Sequence, residues 1–145
     1  MKRATFLLVL LSLVLAGCSQ AGAEMSPTPT APQSLAGSSW TAISVSGAAP
    51  LQGREPTLVF ADDQRINGNT GCNGFFGGYA YGDGEIEFSQ VGMTMMACED
   101  PVNTVEAAFT KALNAATTAA IDDGGQLLIA GPGGEILFAP APTPG

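Results

Sequence analysis

The chain predicts an α+β domain in which a curved antiparallel sheet packs on a single α-helix. Three observations carry this expectation. Short apolar runs alternate with period two between Gly, Asp and Pro punctuation; one stretch alone repeats apolar residues at helical spacing; and turn signals join successive runs as hairpins.

Taken in order, Trp40 to Val45 is rich in strand formers, and simple alternation assigns Ile43 and Val45 to one face. Thr57-Leu58-Val59-Phe60 is a short apolar strand, and Ala61-Asp62-Asp63-Gln64 turns the chain back through Arg65 to Asn69 as a hairpin. Asn73 to Tyr81 interleaves aromatics with glycines, a pattern expected of bulges or close backbone approach. Gly82-Asp83-Gly84 is a tight turn before Glu85-Ile86-Glu87-Phe88, where alternation sends Ile86 and Phe88 inward. Val91 to Ala97 predicts a further, irregular strand.

The helix is expected from after Asp100 to about Ala116. Asp100 can cap it, Pro101 suits a first helical position that needs no N–H, and Val102, Val105, Phe109, Ala112, Leu113 and Ala116 form one apolar face. Thr117-Thr118 and Asp122-Asp123-Gly124-Gly125 end it. Gln126 to Ala130 and Glu135 to Phe138 flank Gly131-Pro132-Gly133-Gly134 as a last hairpin.

This domain spans 35–139, one core's worth of chain, and what precedes it reads as export and anchoring. Residues 1–17 have a basic start at Lys2 and Arg3, an apolar run from Phe6 to Leu15, and the lipobox Leu15-Ala16-Gly17-Cys18. That run is too short to span a bilayer and fits a cleaved lipoprotein signal. Cys18 is the expected lipidation site, carrying diacylglycerol on its thiol and an acyl chain such as palmitate on its freed amine. The multiple chains hold a protein on the membrane. Residues 18–34, with Pro27, Pro29 and Pro32 among Ser, Thr and Ala, form a tether, and 140–145 a tail of like composition. The expected location is the cell envelope. Ser19 in place of an inner-membrane retention Asp points to the periplasmic face of the outer membrane in a Gram-negative cell, and otherwise to the outer face of the cytoplasmic membrane.

Charge and residue inventory exclude several functions. The domain sets twelve carboxylates against Arg54, Arg65 and Lys111, so it has no basic stripe with which to displace counterions from nucleic acid. With no histidine in the chain, Ser-His-Asp and Cys-His catalysis are out, and Lys111 falls on the polar side of the helix. Glu85 and Glu87 share a strand face, the ordinary look of a solvated strand. No enzymatic activity, catalytic residue or cofactor is expected.

Cys72 and Cys98 remain once Cys18 is set aside. An exported domain meets an oxidising compartment, so they are expected to pair, which removes denatured-state entropy worth roughly 3–4 kcal/mol. A redox pair or soft-metal site is the competing reading. Met93, Met95, Met96 and Cys98 are suitable Cu(I) ligands, but alternation along a strand splits them between two faces. Asp62, Asp63, Asp122 and Asp123 lack Ca²⁺-loop spacing, and no metal is expected. Phe75, Phe76, Tyr79 and Tyr81 read either as core or as a surface for a peptide or protein partner of a monomeric protein.

Two segments, Gly71-Cys72-Asn73-Gly74-Phe75-Phe76-Gly77-Gly78-Tyr79 and Met93-Thr94-Met95-Met96-Ala97-Cys98, resemble the hallmarks of the META domain, also called HslJ-like or domain of unknown function 306. Trp40, Leu58, Phe60, Gly68, Phe109, Leu113, Leu127, Leu137 and Phe138 extend the resemblance over nearly the whole domain. It implies the same sheet-and-helix fold and a non-enzymatic envelope lipoprotein linked to heat or envelope stress and antibiotic tolerance, with secretion and virulence among parasite members. Gly74 stands where many relatives have Arg.

Overall fold

The computed structural model describes residues 30–142. Eight antiparallel strands follow one another around a closed barrel: β1 (Ser38–Val45), β2 (Thr57–Phe60), β3 (Arg65–Asn69), β4 (Gly74–Gly82), β5 (Glu85–Met93), β6 (Thr118–Ile121), β7 (Leu127–Gly131) and β8 (Gly134–Pro140). One helix, α1 (Val102–Asn114), stands between β5 and β6 in sequence. The expected curved sheet therefore curves until β8 pairs with β1, Trp40 opposite Pro140 and Val45 opposite Ile136. Closure abolishes the exposed edges that an open sheet would present.

Eight strands leave an interior just wide enough for side chains to fill. Leu58 and Phe60, Ile66, Phe75 and Tyr79, Ile86, Leu127 and Ile129, and Ile136 and Phe138 supply it, all buried. Burial of each large apolar side chain contributes about 1.5–3 kcal/mol. Phe60 meets Tyr79 edge-on at 4.9 Å between ring centroids, and Phe109 of the helix enters between Phe75 at 5.6 Å and Phe138 at 6.3 Å. Strands β5 and β6 share a single register pair, Glu85 with Thr118. Val105, Phe109, Ala112 and Leu113 are the buried face of α1, the face the periodicity predicts, and the helix packs against β1, β5, β7 and β8. Gly133 lets the β7–β8 turn seat directly on the helix, since a Cβ there would run into the Lys111 carbonyl oxygen.

Several local expectations are corrected. In β1 the register slips between Ala42 and Ser44, so Ala42 and Val45 point inward and Ile43 is 40% exposed. A bulge adds one residue and moves the rest to the other face. The segment Val91 to Ala97 is not a strand of its own. Strand β5 runs unbroken from Glu85, passes a bulge where Gln90 takes φ 52°, and ends at Met93. Asp100 does not cap the helix, for Pro101 is the N-cap residue and the first N–H groups find the Glu99 carbonyl, Val102 at 3.0 Å. The Asp100 carboxylate instead accepts from the Thr104 hydroxyl at 3.0 Å. Thr118–Ile121 is a strand rather than the helix's exit loop.

Both ends of the domain also reach further. Thr30, assigned to the tether by composition, pairs with Ile121, and the Pro32 carbonyl accepts from the Tyr81 hydroxyl at 2.8 Å. Pro140, assigned to the tail, closes β8. The expected signal peptide 1–17, the expected lipidation site Cys18, residues 19–29 of the expected tether and residues 143–145 lie outside the described residues.

Candidate functional site

The two cysteine segments meet where β4 begins and β5 ends. Thr70 to Asn73 forms a tight turn ahead of β4, its ends joined by Thr70 N–H to the Asn73 carbonyl at 2.8 Å. Gly71 sits in that turn at φ 94° with the Arg54 carbonyl packed against it, a place with no room for a side chain. Cys72 points inward and is bonded to Cys98, their Cα atoms 6.1 Å apart, a separation ordinary for a disulfide. The soft-metal and reactive-thiol readings of this pair lose their ligand, because neither sulfur is a thiolate.

Beside the disulfide, Asn73 is 2% exposed and uses its whole amide. Its Oδ1 accepts from the Met96 N–H at 2.7 Å and the Thr94 hydroxyl at 2.8 Å. Its Nδ2 donates to the Met96 carbonyl at 3.2 Å and to the Glu106 carboxylate at 3.0 and 3.1 Å. Glu106 reaches down from α1 and also accepts from the Asn73 N–H at 3.2 Å and the Thr70 hydroxyl. One side chain thus binds the Gly-Cys-Asn turn, the methionine segment and the helix together. A buried amide left without such partners would cost a few kcal/mol, so the network specifies a single arrangement.

Sequence reasoning missed Thr70, Thr94 and Glu106. A signal existed for Glu106: it lies four residues after Val102 and three before Phe109, a carboxylate on the apolar stripe.

The segment so held is the most exposed apolar part of the surface. Met95 is 96% and Met96 59% exposed, whereas Met93 is half-buried against the core. Met93 thus packs inward while Met95 and Met96 are exposed, and among the described residues no group of three His, Cys, Asp or Glu could hold a metal ion. The four aromatics do not form one surface either. Phe75 and Tyr79 are buried, Tyr81 is half-buried, and Phe76 alone points out, 56% exposed. Strand alternation requires this, since residues 75, 79 and 81 share the inner face and 76 the outer. The Phe76 ring lies over Gly92 on β5, 3.0 Å from where a Cβ would stand, with Asn67 opposite on β3.

At the far end of the β4–β5 ribbon, Tyr81, Asp83, Glu85, Ile86, Glu87 and Thr117 line a groove of about 580 Å³. Burial, then the neighbouring Asp83, raises the Tyr81 phenol above its ordinary value, and burial, then Asp62 and Asp63, does the same for Tyr79. Both hydroxyls therefore stay protonated and donate, Tyr79 to the Ala61 carbonyl at 3.5 Å.

With the paired cysteine segments and the barrel in place, comparison with known proteins is decisive: the META domain profile matches residues 33–143. The chain belongs to the META-domain family. Among solved structures, the NMR structure of a protein from Burkholderia xenovorans is 28% identical, with 86% of this chain and 96% of that chain covered and a TM-score of 0.64. A second NMR structure, 23% identical over 72% of this chain and 89% of the other, shares the fold at a TM-score of 0.61. No curated protein matches. The META hallmark residues thus gather at one place in this barrel, around Asn73. Gly74 faces outward beside Phe76, and its nearest neighbour to an added Cβ is the Gly68 carbonyl at 3.9 Å, so a side chain can start there without a clash.

Proposed function

We propose that this META protein is a non-enzymatic docking module of the cell envelope, held by lipid at Cys18 and linked to envelope or heat stress and antibiotic tolerance. Its partner is an envelope protein or peptide rather than nucleic acid, and the protein itself works as a monomer. The location is the periplasmic face of the outer membrane in a two-membrane cell and the outer face of the cytoplasmic membrane otherwise. The observation that carries the reading is Phe76 of β4, standing exposed over Gly92, while the first residue of β4, Gly74, is hydrogen-bonded to Thr94 just ahead of the displayed Met95 and Met96. Large apolar side chains gathered on a rigid surface are the usual material of a docking patch. Further support comes from the opposite end of the domain, where the described chain enters near Gly84 and Tyr81, so the tether joins the barrel at the end away from Phe76.

A photo-crosslinking residue at position 76, in cells, tests the reading. Discrete membrane-protein adducts at 76, absent with the probe at Glu87, are expected. Adducts from Glu87 alone would overturn it. The anchor is tested separately: alkynyl fatty-acid label on the wild type and none on Cys18→Ala is expected, and equal label on both refutes lipidation at Cys18.

A further inference from the structure

We infer that Met95 is a modification site, oxidised to the sulfoxide by two-electron oxidants such as hydrogen peroxide, ahead of its neighbours and without cost to the fold. The inference goes beyond docking and does not depend on what docks.

Three features carry it. First, the three methionines of the domain differ sharply in surroundings: Met93 packs on the core, Met96 is 59% exposed, and Met95 projects almost wholly into solvent. Thioether oxidation follows access of the oxidant to sulfur. Second, Met95 cannot fold back. Thr94 on one side and Met96 on the other are both tied to Asn73, and two residues further on Cys98 is bonded to Cys72. The chain is fixed on either side of a side chain that makes no contribution to the core. Third, nothing in the fold depends on that side chain being apolar, whereas a sulfoxide on Met93 would set a polar group among Phe75 and its neighbours.

The chemistry balances without a cofactor. The Met95 sulfur donates a lone pair to one peroxide oxygen, and the S–O bond forms as the O–O bond breaks. Sulfur loses two electrons, and the departing hydroxide takes the proton of the transferred oxygen and leaves as water. A dithiol methionine sulfoxide reductase reverses it, two thiols becoming a disulfide while the oxygen departs as water. The product is polar and chiral, so the most exposed large apolar side chain among the described residues changes from apolar to hydrogen-bond acceptor.

The test is graded hydrogen peroxide on the full chain, with fragment-ion mass spectrometry to place each added oxygen and a melting curve at each dose. Met1 and Met25 are followed in their own peptides. Expected is Met95 sulfoxide forming about twofold faster than at Met96 and at least about fivefold faster than at Met93, with no fall in Tm over the first oxidation of the domain. Met95→Leu should remove that first event. Oxidation of Met93 or Met96 ahead of Met95, or a Tm that falls in step with Met95 sulfoxide, overturns the inference.

Discussion

The two ends of the β4–β5 ribbon are closed by different means. At the end where β4 starts, a disulfide and a buried polar network join turn, strand end and helix through Cys72, Asn73, Thr70 and Glu106. At the hairpin end, roughly 26 Å away along the strand, closure is lighter. There the Asp83-Gly84 turn, one register pair between β5 and β6, the Thr30–Ile121 bridge and the Tyr81 hydroxyl hold the chain. The heavily braced end is also where large apolar side chains meet solvent. Bracing and display belong together: an exposed hydrophobic segment with loose backbone would collapse onto the surface, and here each tie sits directly beside the displayed residue.

The contrast can be broken most severely at the disulfide. Reduction, or Cys98→Ala with Cys72→Ala, should lower stability by roughly 3–4 kcal/mol on the loop-closure argument, read as a drop in denaturant midpoint. Asn73→Ala comes next at about 3 kcal/mol, because it strands both backbone groups of Met96 and takes one partner each from the Glu106 carboxylate and the Thr94 hydroxyl. Hydrogen exchange at Met96 should rise in that variant and stay low at Ile86. At the hairpin end, Tyr81→Phe should cost only about 1 kcal/mol, the worth of one hydrogen bond to Pro32.

The tyrosines add a pH arm at high pH. Folding raises their proton affinity above the ordinary 10.0, so their contribution is complete below that value and fades as pH climbs past it and the unfolded phenols ionise first. Tyr79→Phe should flatten the alkaline fall in Tm. The smallest effect is expected from Gly74→Arg, within about 0.5 kcal/mol, since an added Cβ meets nothing closer than the Gly68 carbonyl at 3.9 Å. A large loss there would mean that the outer face of the braced end is packed more tightly than its exposure indicates.

Much of this was legible from residues alone, and the reasons it stopped are physical. The hairpins of β2–β3, β4–β5 and β7–β8 are local, each announced by Asp or Gly where a turn needs it; Asp83 and Gly84 both take positive φ. Barrel closure is non-local, and nothing in Trp40 or Phe138 says that their strands pair. The Ile43 reversal depends on a bulge that inserts a residue into otherwise plausible alternation. Thr118–Ile121 is short and Ala-rich, so only its partner β7 makes it a strand. At the candidate site, Cys72 and Cys98 were readable because few thiols remained to pair. Phe75 and Phe76 were adjacent on a strand and could not have shared a face, a constraint already present in their numbering.

Closure of β8 onto β1 has a topological consequence. The Ala141 N–H donates to the Ser39 carbonyl at 2.8 Å, so the start of β1 and the end of β8 are side by side while each strand neighbours the next in sequence. Such a ring has no privileged starting point. A short linker joining position 141 to Leu35, with new termini cut between Asp62 and Asp63, should yield a circular permutant with the same melting cooperativity and an intact Cys72–Cys98 bond.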